Sequence, residues 1–129
     1  MKREHIRVVV ADDHPSVREN LRYLIDAETD LECIGVVTDG RRCIEMCRQL
    51  QPDVLVVDGN IPGPDGVAIA RTVGRLLPRV GLVMYTLDTE MCALARGSGA
   101  RVGCVPKDAP YEYLLPTSRH AAPNHSAAA

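Results

Sequence analysis

Acidic, hydroxyl and ammonium side chains follow several apolar segments of this chain. Asp12 and Asp13 follow the segment IRVVVA, and Asp58 follows DVLVV. Thr86 follows RVGLVMY, and Lys107, one of only two lysines, follows a fifth apolar segment. Taken singly, such residues more often cap helices, form turns or lie on the surface. Their repeated position after apolar segments makes them candidates for a shared site.

The residue types point to phosphoryl chemistry. Carboxylates gathered in one pocket repel one another, and a divalent cation offsets that repulsion. Mg²⁺ prefers oxygen ligands and is commonly held by a few carboxylates together with phosphate. Asp58 could then attack phosphorus as a nucleophile, as carboxylates do in aspartyl-phosphate chemistry. The Thr86 hydroxyl and the Lys107 ammonium would stabilise charge on the phosphoryl oxygens.

The elements that must position these residues alternate along the chain. Short apolar segments predict strands at 6–11, 31–37, 53–57, 79–85 and 101–105, and the segments between them have the apolar spacing of amphipathic helices. This alternation predicts an α/β fold with a parallel, doubly wound sheet and helices on both faces. Ligand sites of such sheets lie beyond the carboxyl ends of the strands. The five candidate side chains are therefore expected to meet there.

The end of the chain breaks this pattern. Pro116 and Pro123 interrupt it, and the last six residues, NHSAAA, offer nothing for a core. We expect a folded domain over residues 1–116, a short last helix at 111–115, and a disordered tail at 117–129. From the length of the chain we expect no second domain such as a DNA-binding helical module.

Composition excludes several classes of function. The chain has 129 residues, is 46% hydrophobic and carries a formal net charge of −2, which is enough apolar material for one domain and argues against a nucleic-acid surface. No segment is long and apolar enough to span a membrane, and the charged N-terminus is unlike a signal peptide. We therefore expect a cytoplasmic location.

The five cysteines are odd in number and lack the spacing of a disulfide framework, which fits a reducing compartment. Cys43 and Cys47 are four residues apart and share a helix face. A metal-binding or redox pair is one interpretation. The other, which we favour, is two small buried apolar residues on an amphipathic helix.

The sequence resembles the receiver domain of bacterial two-component response regulators over about residues 5–115. The segments that carry the resemblance are VVVADDHPSVRENLRYLI, QPDVLVVDGNIPGPDGVAIAR, LVMYT and the stretch 103–110 with its PKDAP motif. The Asp-His-Pro start and the Lys-Asp-Ala-Pro end are most similar to receivers of helix-turn-helix transcriptional regulators. The resemblance implies a flavodoxin-like fold with strand order 2-1-3-4-5.

The resemblance also implies roles for the candidate residues. Asp12 and Asp13 would hold Mg²⁺ together with Asp58, with Asp13 the more direct ligand, and Asn60 would lend its backbone carbonyl. Asp58 would be the phosphoacceptor. Once the phosphoryl group arrives, it would accept a hydrogen bond from Thr86 and form an ion pair with Lys107. The implied metal site thus comprises Asp12, Asp13, Asp58 and Asn60, and the implied residues of phosphoryl transfer are Asp58, Thr86 and Lys107.

The implied function is a signalling switch rather than an enzyme, with at most self-dephosphorylation. A histidine kinase or a phosphotransfer protein would donate the phosphoryl group, and the surface at 88–105 would respond. The resemblance leaves the output partner unidentified and a homodimer open. It implies no direct binding to nucleic acid or membrane by this chain.

Three positions depart from the family pattern and keep alternatives open. Leu87 stands where a small residue is usual, Cys104 where an aromatic residue is common, and Pro106 lacks the N–H that an inner strand needs. One alternative is a degenerate receiver that binds partners without phosphorylation. Another is a hydrolase like the haloacid dehalogenase phosphatases, but Asn60 stands where those enzymes place a general acid.

Overall fold

The computed structural model describes residues 5–123, which fold into five strands and five α-helices in alternation. The strands are β1 (Ile6–Ala11), β2 (Leu31–Val37), β3 (Val54–Asp58), β4 (Gly81–Tyr85) and β5 (Arg101–Val105). The helices are α1 (Pro15–Asp26), α2 (Gly40–Leu50), α3 (Gly66–Leu76), α4 (Thr89–Arg96) and α5 (Leu114–Ala121). A short 3-10 turn, Tyr111–Tyr113, precedes α5.

The strands form one parallel sheet in the order β2-β1-β3-β4-β5. Alternate residues of a strand face opposite sides, so Val8 and Val10 contact one core cluster while Val9 and Ala11 contact the other. Helices α2, α3 and α4 cover the second cluster, and α1 and α5 cover the first. The predicted doubly wound α/β fold and its strand order are confirmed.

Aspartates fix the starts of the three helices that follow β2, β3 and β4. The Asp39 side chain accepts a hydrogen bond from the Arg42 backbone N–H, and Asp65 accepts one from Ala68. Asp88 accepts from two backbone N–H groups of the first turn of α4. Such caps satisfy donors that have no partner inside the helix.

The last helix lies further along the chain than predicted, and the prediction of a helix at 111–115 followed by disorder from 117 is wrong. Pro116 was expected to end the helix, but it lies in the first turn of α5, where a missing N–H costs little. The helix continues to Ala121 and buries Ser118 and Ala121. The rest of the predicted tail, 124–129, lies outside the described residues.

Two features hold α5 against the domain. A Cβ placed on Gly81 of β4 would lie 2.1 Å from the Ala121 carbonyl oxygen, so this close approach requires glycine. On the outer side, Arg119 donates to Asp30 at 2.7 Å and to Glu28 at 2.7 Å. The C-terminal helix is thus an integral layer of the fold.

The cysteines differ in part from expectation. Cys43 and Cys47 are fully buried on α2, which confirms the prediction of small core residues. Cys92 of α4 and Cys104 of β5, in contrast, are joined by a disulfide, which the cysteine spacing had not indicated. Pro106 causes no conflict, because it follows β5, which lies at the edge of the sheet.

Helices of residues 5–123 are all too short or too polar to cross a bilayer.

Candidate functional site

The site forms where the sheet's strands end, and backbone hydrogen bonds fix the strand ends to one another. The Asp12 N–H donates to the Val37 carbonyl at 3.0 Å, which ties the end of β1 to β2. The Gly59 N–H donates to the Tyr85 carbonyl at 3.1 Å, which ties the residue after β3 to β4. Each functional side chain therefore starts from a backbone position that the sheet determines.

Four side chains form an acidic cluster at this edge. Asp12, Asp13, His14 and Asp58 each offer one ligand atom, and these atoms lie within 4.8 Å of one another. Asp12 and Asp58 are each 1% exposed, whereas Asp13 is exposed. The three carboxylates that the sequence analysis assigned to one pocket do meet there.

Asp12 is the most heavily hydrogen-bonded of the three carboxylates. Its Oδ1 accepts from the His14 backbone N–H at 2.7 Å and lies 2.8 Å from His14 Nδ1. Its Oδ2 accepts a hydrogen bond from the Tyr85 hydroxyl. Asp13 Oδ1 lies 3.3 Å from His14 Nδ1, and the Asp13 side chain is exposed. The oxygens of Asp13 are therefore the more available to an external cation.

His14 stands beside all three carboxylates. Its Nδ1 is 3.8 Å from Asp58 Oδ2, in addition to its shorter distances to Asp12 and Asp13. The hydrogen bond to Asp12 and then the negative charges of Asp12, Asp13 and Asp58 raise the pKa of His14 above its usual 6.5. At mildly acidic pH, the imidazolium therefore supplies a positive charge to the cluster.

Asp58 forms an ion pair with Lys107. Lys107 Nζ lies 2.8 Å from Asp58 Oδ1, and the same oxygen accepts the Asn60 backbone N–H at 2.9 Å. The Lys107 side chain is 28% exposed, so water still reaches the ammonium of this ion pair. Three carboxylates against one ammonium leave an excess of negative charge.

Thr86 directly follows β4 and is buried. Its Oγ1 accepts the Asp88 backbone N–H at 3.1 Å, which leaves the hydroxyl proton uncommitted by that bond. A Cβ placed on Gly59 would lie 3.0 Å from Thr86 Cβ and 2.6 Å from Met91 Sδ. Because Gly59 has no side chain, Thr86 and Met91 of α4 lie directly against the residue that follows Asp58.

The donor set fits a hard divalent cation such as Mg²⁺. The carboxylate oxygens converge from two strand ends, one of the acids is exposed to solvent, and their negative charge is only partly offset by Lys107. Oxygen ligands combined with retained water are the coordination that Mg²⁺ favours. The Asn60 N–H donates a hydrogen bond to Asp58. This bond holds the backbone of Asn60, whose carbonyl the resemblance implies as a metal ligand, beside Asp58.

Sequence reasoning missed two residues of this site. His14 directly follows the acidic pair, and its adjacency was the available signal. Tyr85 ends an otherwise apolar strand one residue before Thr86, so its polar tip at a strand end was the signal. Burial, followed by the hydrogen bond to Asp12, raises the pKa of the Tyr85 hydroxyl, which therefore stays protonated and donates.

Comparisons with known proteins agree with this geometry. The sequence profile described as "Response regulator receiver domain" matches residues 8–115. The Bacillus subtilis transcriptional regulatory protein YxjL is 37% identical over 95% of this chain and 56% of its own length. LiaR of the same organism is 30% identical over 90% of this chain and 51% of its length. The chain thus spans about half the length of these relatives.

Solved structures give the same result for the fold. The receiver domain of the response regulator NarL from Mycobacterium tuberculosis superimposes with a TM-score of 0.80 at 25% identity, over 91% of this chain and 98% of that one. The response regulator domain of CheB from Thermotoga maritima gives a TM-score of 0.81 at 25% identity, over 91% and 96% of the two chains.

Proposed function

The chain belongs to the response regulator receiver domain family, and from this membership we propose that it receives a phosphoryl group on Asp58 as a step in two-component signalling. One observation carries the assignment to Asp58. This carboxylate is buried, lies within the acidic cluster of Asp12 and Asp13, and is paired with Lys107 at 2.8 Å.

Mg²⁺ is the proposed cofactor. Asp13 and Asp58 would be direct ligands together with the Asn60 carbonyl, and Asp12, whose oxygens accept hydrogen bonds from His14 and Tyr85, would act through water. When bound, the ion neutralises negative charge on the phosphoryl oxygens and on the surrounding carboxylates. The exposure of Asp13 supports its place as the ligand nearest to solvent.

The transfer itself needs a nucleophile, an orienting group and countercharge. An Asp58 carboxylate oxygen forms the new bond to phosphorus while the bond from phosphorus to the donor breaks, and the donor leaves with that electron pair. The Asn60 N–H and Lys107 hold Asp58 Oδ1, which fixes the direction of the carboxylate. Lys107 then stabilises the negative charge that the phosphoryl group brings.

The switch follows from contacts that exist only after phosphorylation. The phosphoryl group adds about −1.5 to −2 charges and three acceptor oxygens. Thr86 can donate its hydroxyl proton to one of those oxygens, and Lys107 can pair with another. Thr86 precedes α4 and Lys107 follows β5. We propose that these new contacts shift the surface formed by residues 88–105, hereafter the α4–β5 face.

The proposed partners follow from the same chemistry. A histidine kinase or a phosphotransfer protein would be the phosphoryl donor, which places the reaction in the cytoplasm. The relatives include transcriptional regulatory proteins and the larger protein-glutamate methylesterases, so the output partner is left open. The receiver itself is proposed as a phosphoacceptor with at most self-dephosphorylation, and self-association through a homodimer stays a proposal.

Intact-mass measurement after incubation with Mg²⁺ and acetyl phosphate tests the proposal. The wild-type protein should gain the mass of one phosphoryl group, and Asp58→Asn should gain none. EDTA should abolish the gain, which tests the metal separately. An unmodified wild-type protein would instead favour a receiver that binds partners without phosphorylation. Multiple turnovers of a phosphomonoester would favour a hydrolase.

A further inference from the structure

Cys92 and Cys104 connect α4 to β5. Their sulfurs are bonded to each other, and their Cα atoms are 6.3 Å apart, within the range that disulfides span. Cys92 is buried and Cys104 is half-buried. Among the described residues, the other cysteines are free: Cys33, Cys43 and Cys47.

Along the sequence, both cysteines lie between Thr86 and Lys107, the two residues that would bind the phosphoryl group. Cys92 lies six residues after Thr86, and Cys104 lies three residues before Lys107. Helix α4 has only eight residues, is capped by Asp88 and packs on α3 and β5. A covalent link from such a short helix to its neighbouring strand constrains the whole α4–β5 face.

We propose that Cys92 and Cys104 form a reversible disulfide that controls how far the α4–β5 face responds to phosphorylation. In the oxidised protein the bond holds α4 at a fixed distance from β5, so a displacement of the helix away from the strand is prevented. In the dithiol form, only non-covalent packing opposes that displacement. The part of the proposal that concerns the response rests on the proposed phosphorylation of Asp58.

The bond can form by thiol–disulfide exchange with a low-molecular-weight disulfide such as oxidised glutathione. The Cys104 thiolate, on the more accessible side chain, attacks one glutathione sulfur and releases one glutathione thiolate. The Cys92 thiolate then attacks the Cys104 sulfur of the mixed disulfide and releases the second. Two electrons pass from the protein to glutathione, the two protein thiols lose their protons, and two glutathione thiols are produced.

The first experiment measures the bond and its local effect without phosphorylation. The full chain is equilibrated with glutathione buffers that range from reducing to oxidising, and free thiols are counted by alkylation and intact mass. Peptide mapping should locate a Cys92–Cys104 disulfide in oxidising buffer. Reduction should speed amide hydrogen exchange in α4 about fivefold or more. Free thiols at both Cys92 and Cys104 at every ratio, five in the whole chain, or equal exchange in α4, would overturn the proposal.

The second experiment measures the response. Oxidised and reduced protein are phosphorylated with acetyl phosphate and Mg²⁺, and the change in hydrogen exchange across 88–105 is compared. Both forms should gain the phosphoryl mass, but the change should be about fivefold or more smaller in the oxidised form. Equal changes would refute control by the disulfide. No mass gain in either form would refute the proposed phosphorylation, while the thiol count would still report the bond.

Matched serine variants separate the disulfide from other thiol chemistry. Cys92→Ser and Cys104→Ser each remove the bond, and both should respond fully in oxidising and reducing buffer. Cys33→Ser leaves the pair intact and should behave as wild type. If Cys92→Ser still lost its response on oxidation, a different cysteine would be responsible and the assignment would be wrong.

Discussion

The Tyr85 hydroxyl donates a hydrogen bond to Oδ2 of Asp12, although the two residues are 73 positions apart in the chain. They lie on β4 and at the end of β1, so the bond crosses the end of β3 beside Asp58. Both side chains are buried. The Tyr85 hydroxyl thus binds one carboxylate oxygen of Asp12, Oδ2, and His14 binds the other, Oδ1.

Replacing Tyr85 with Phe should destabilise the domain. The ring and its packing are retained, but a buried carboxylate oxygen loses its donor. We expect the free energy of unfolding to fall by about 1–3 kcal/mol, the cost of an unsatisfied buried polar group. Urea denaturation at neutral pH measures it. Tyr23→Phe is the control, because Tyr23 is 72% exposed, and it should change stability by less than about 0.5 kcal/mol.

Lys107→Ala should separate phosphorylation from its consequences. The variant should fold and still gain the phosphoryl mass, but the phosphoryl group would lack its ammonium partner. We expect a loss of about 1–3 kcal/mol in the coupling between the site and the α4–β5 face. Hydrogen exchange of 88–105, measured in reducing buffer, reports it. An undiminished change would contradict the role of Lys107, and Arg96→Ala, an exposed cation on α4, serves as the charge control.

Leu87→Ala should shorten the lifetime of the phosphoryl group. Leu87 follows Thr86 directly, and its side chain is 65% exposed at the rim of the site. A smaller residue would admit water more easily to the phosphorus. We expect hydrolysis to be faster by up to about tenfold, or about 1.4 kcal/mol in the barrier. Mass spectra after removal of the donor follow the decay, and Leu94→Ala, an exposed leucine on α4, should leave the rate unchanged.

His14 should make stability depend on pH in the metal-free protein. The folded protein raises the pKa of His14 above 6.5, so the protonated form is favoured by folding. This stabilisation is fully present below about pH 6.5 and is lost as the pH rises through the folded pKa. The stability advantage of wild type over His14→Asn should therefore shrink with rising pH.

Urea denaturation in EDTA from about pH 5.5 to 8.5 measures that difference across the range in which histidine titrates. His120→Asn, in α5, is the control for removing an imidazole outside the cluster. An advantage of wild type that grew with pH would contradict the assignment.

Most of the fold could be predicted because each strand is a short apolar segment with clear limits. The predicted bounds of β1, β2 and β5 agree with the structure, and β4 starts two residues later than expected, at Gly81. The last helix could not be placed correctly, since a proline ends a helix in its interior but is tolerated in its first turn. Pro116 is the second case, because the helix begins at Leu114 and continues to Ala121, which packs on Gly81.

The site was predictable to the extent that it depends on strand ends. Parallel strands bring their carboxyl ends to one edge, so Asp12, Asp58 and Lys107 had to approach one another. The hydrogen bond of Tyr85 depends on two strands that are separated by a third, and the Cys92–Cys104 bond depends on how a helix lies beside an edge strand. Neither relationship leaves a spacing signal in the sequence.

The missing side chain at Gly59 has a mechanical consequence. Thr86 and the Met91 sulfur lie so close to Gly59 that a Cβ at this residue would crowd both, so the first part of α4 packs on the backbone next to Asp58. A movement of Thr86 toward a phosphoryl group would therefore change the packing beside a flexible thioether side chain. The proposed phosphorylation site and α4 would then be coupled through atoms that pack directly on the Gly59 backbone.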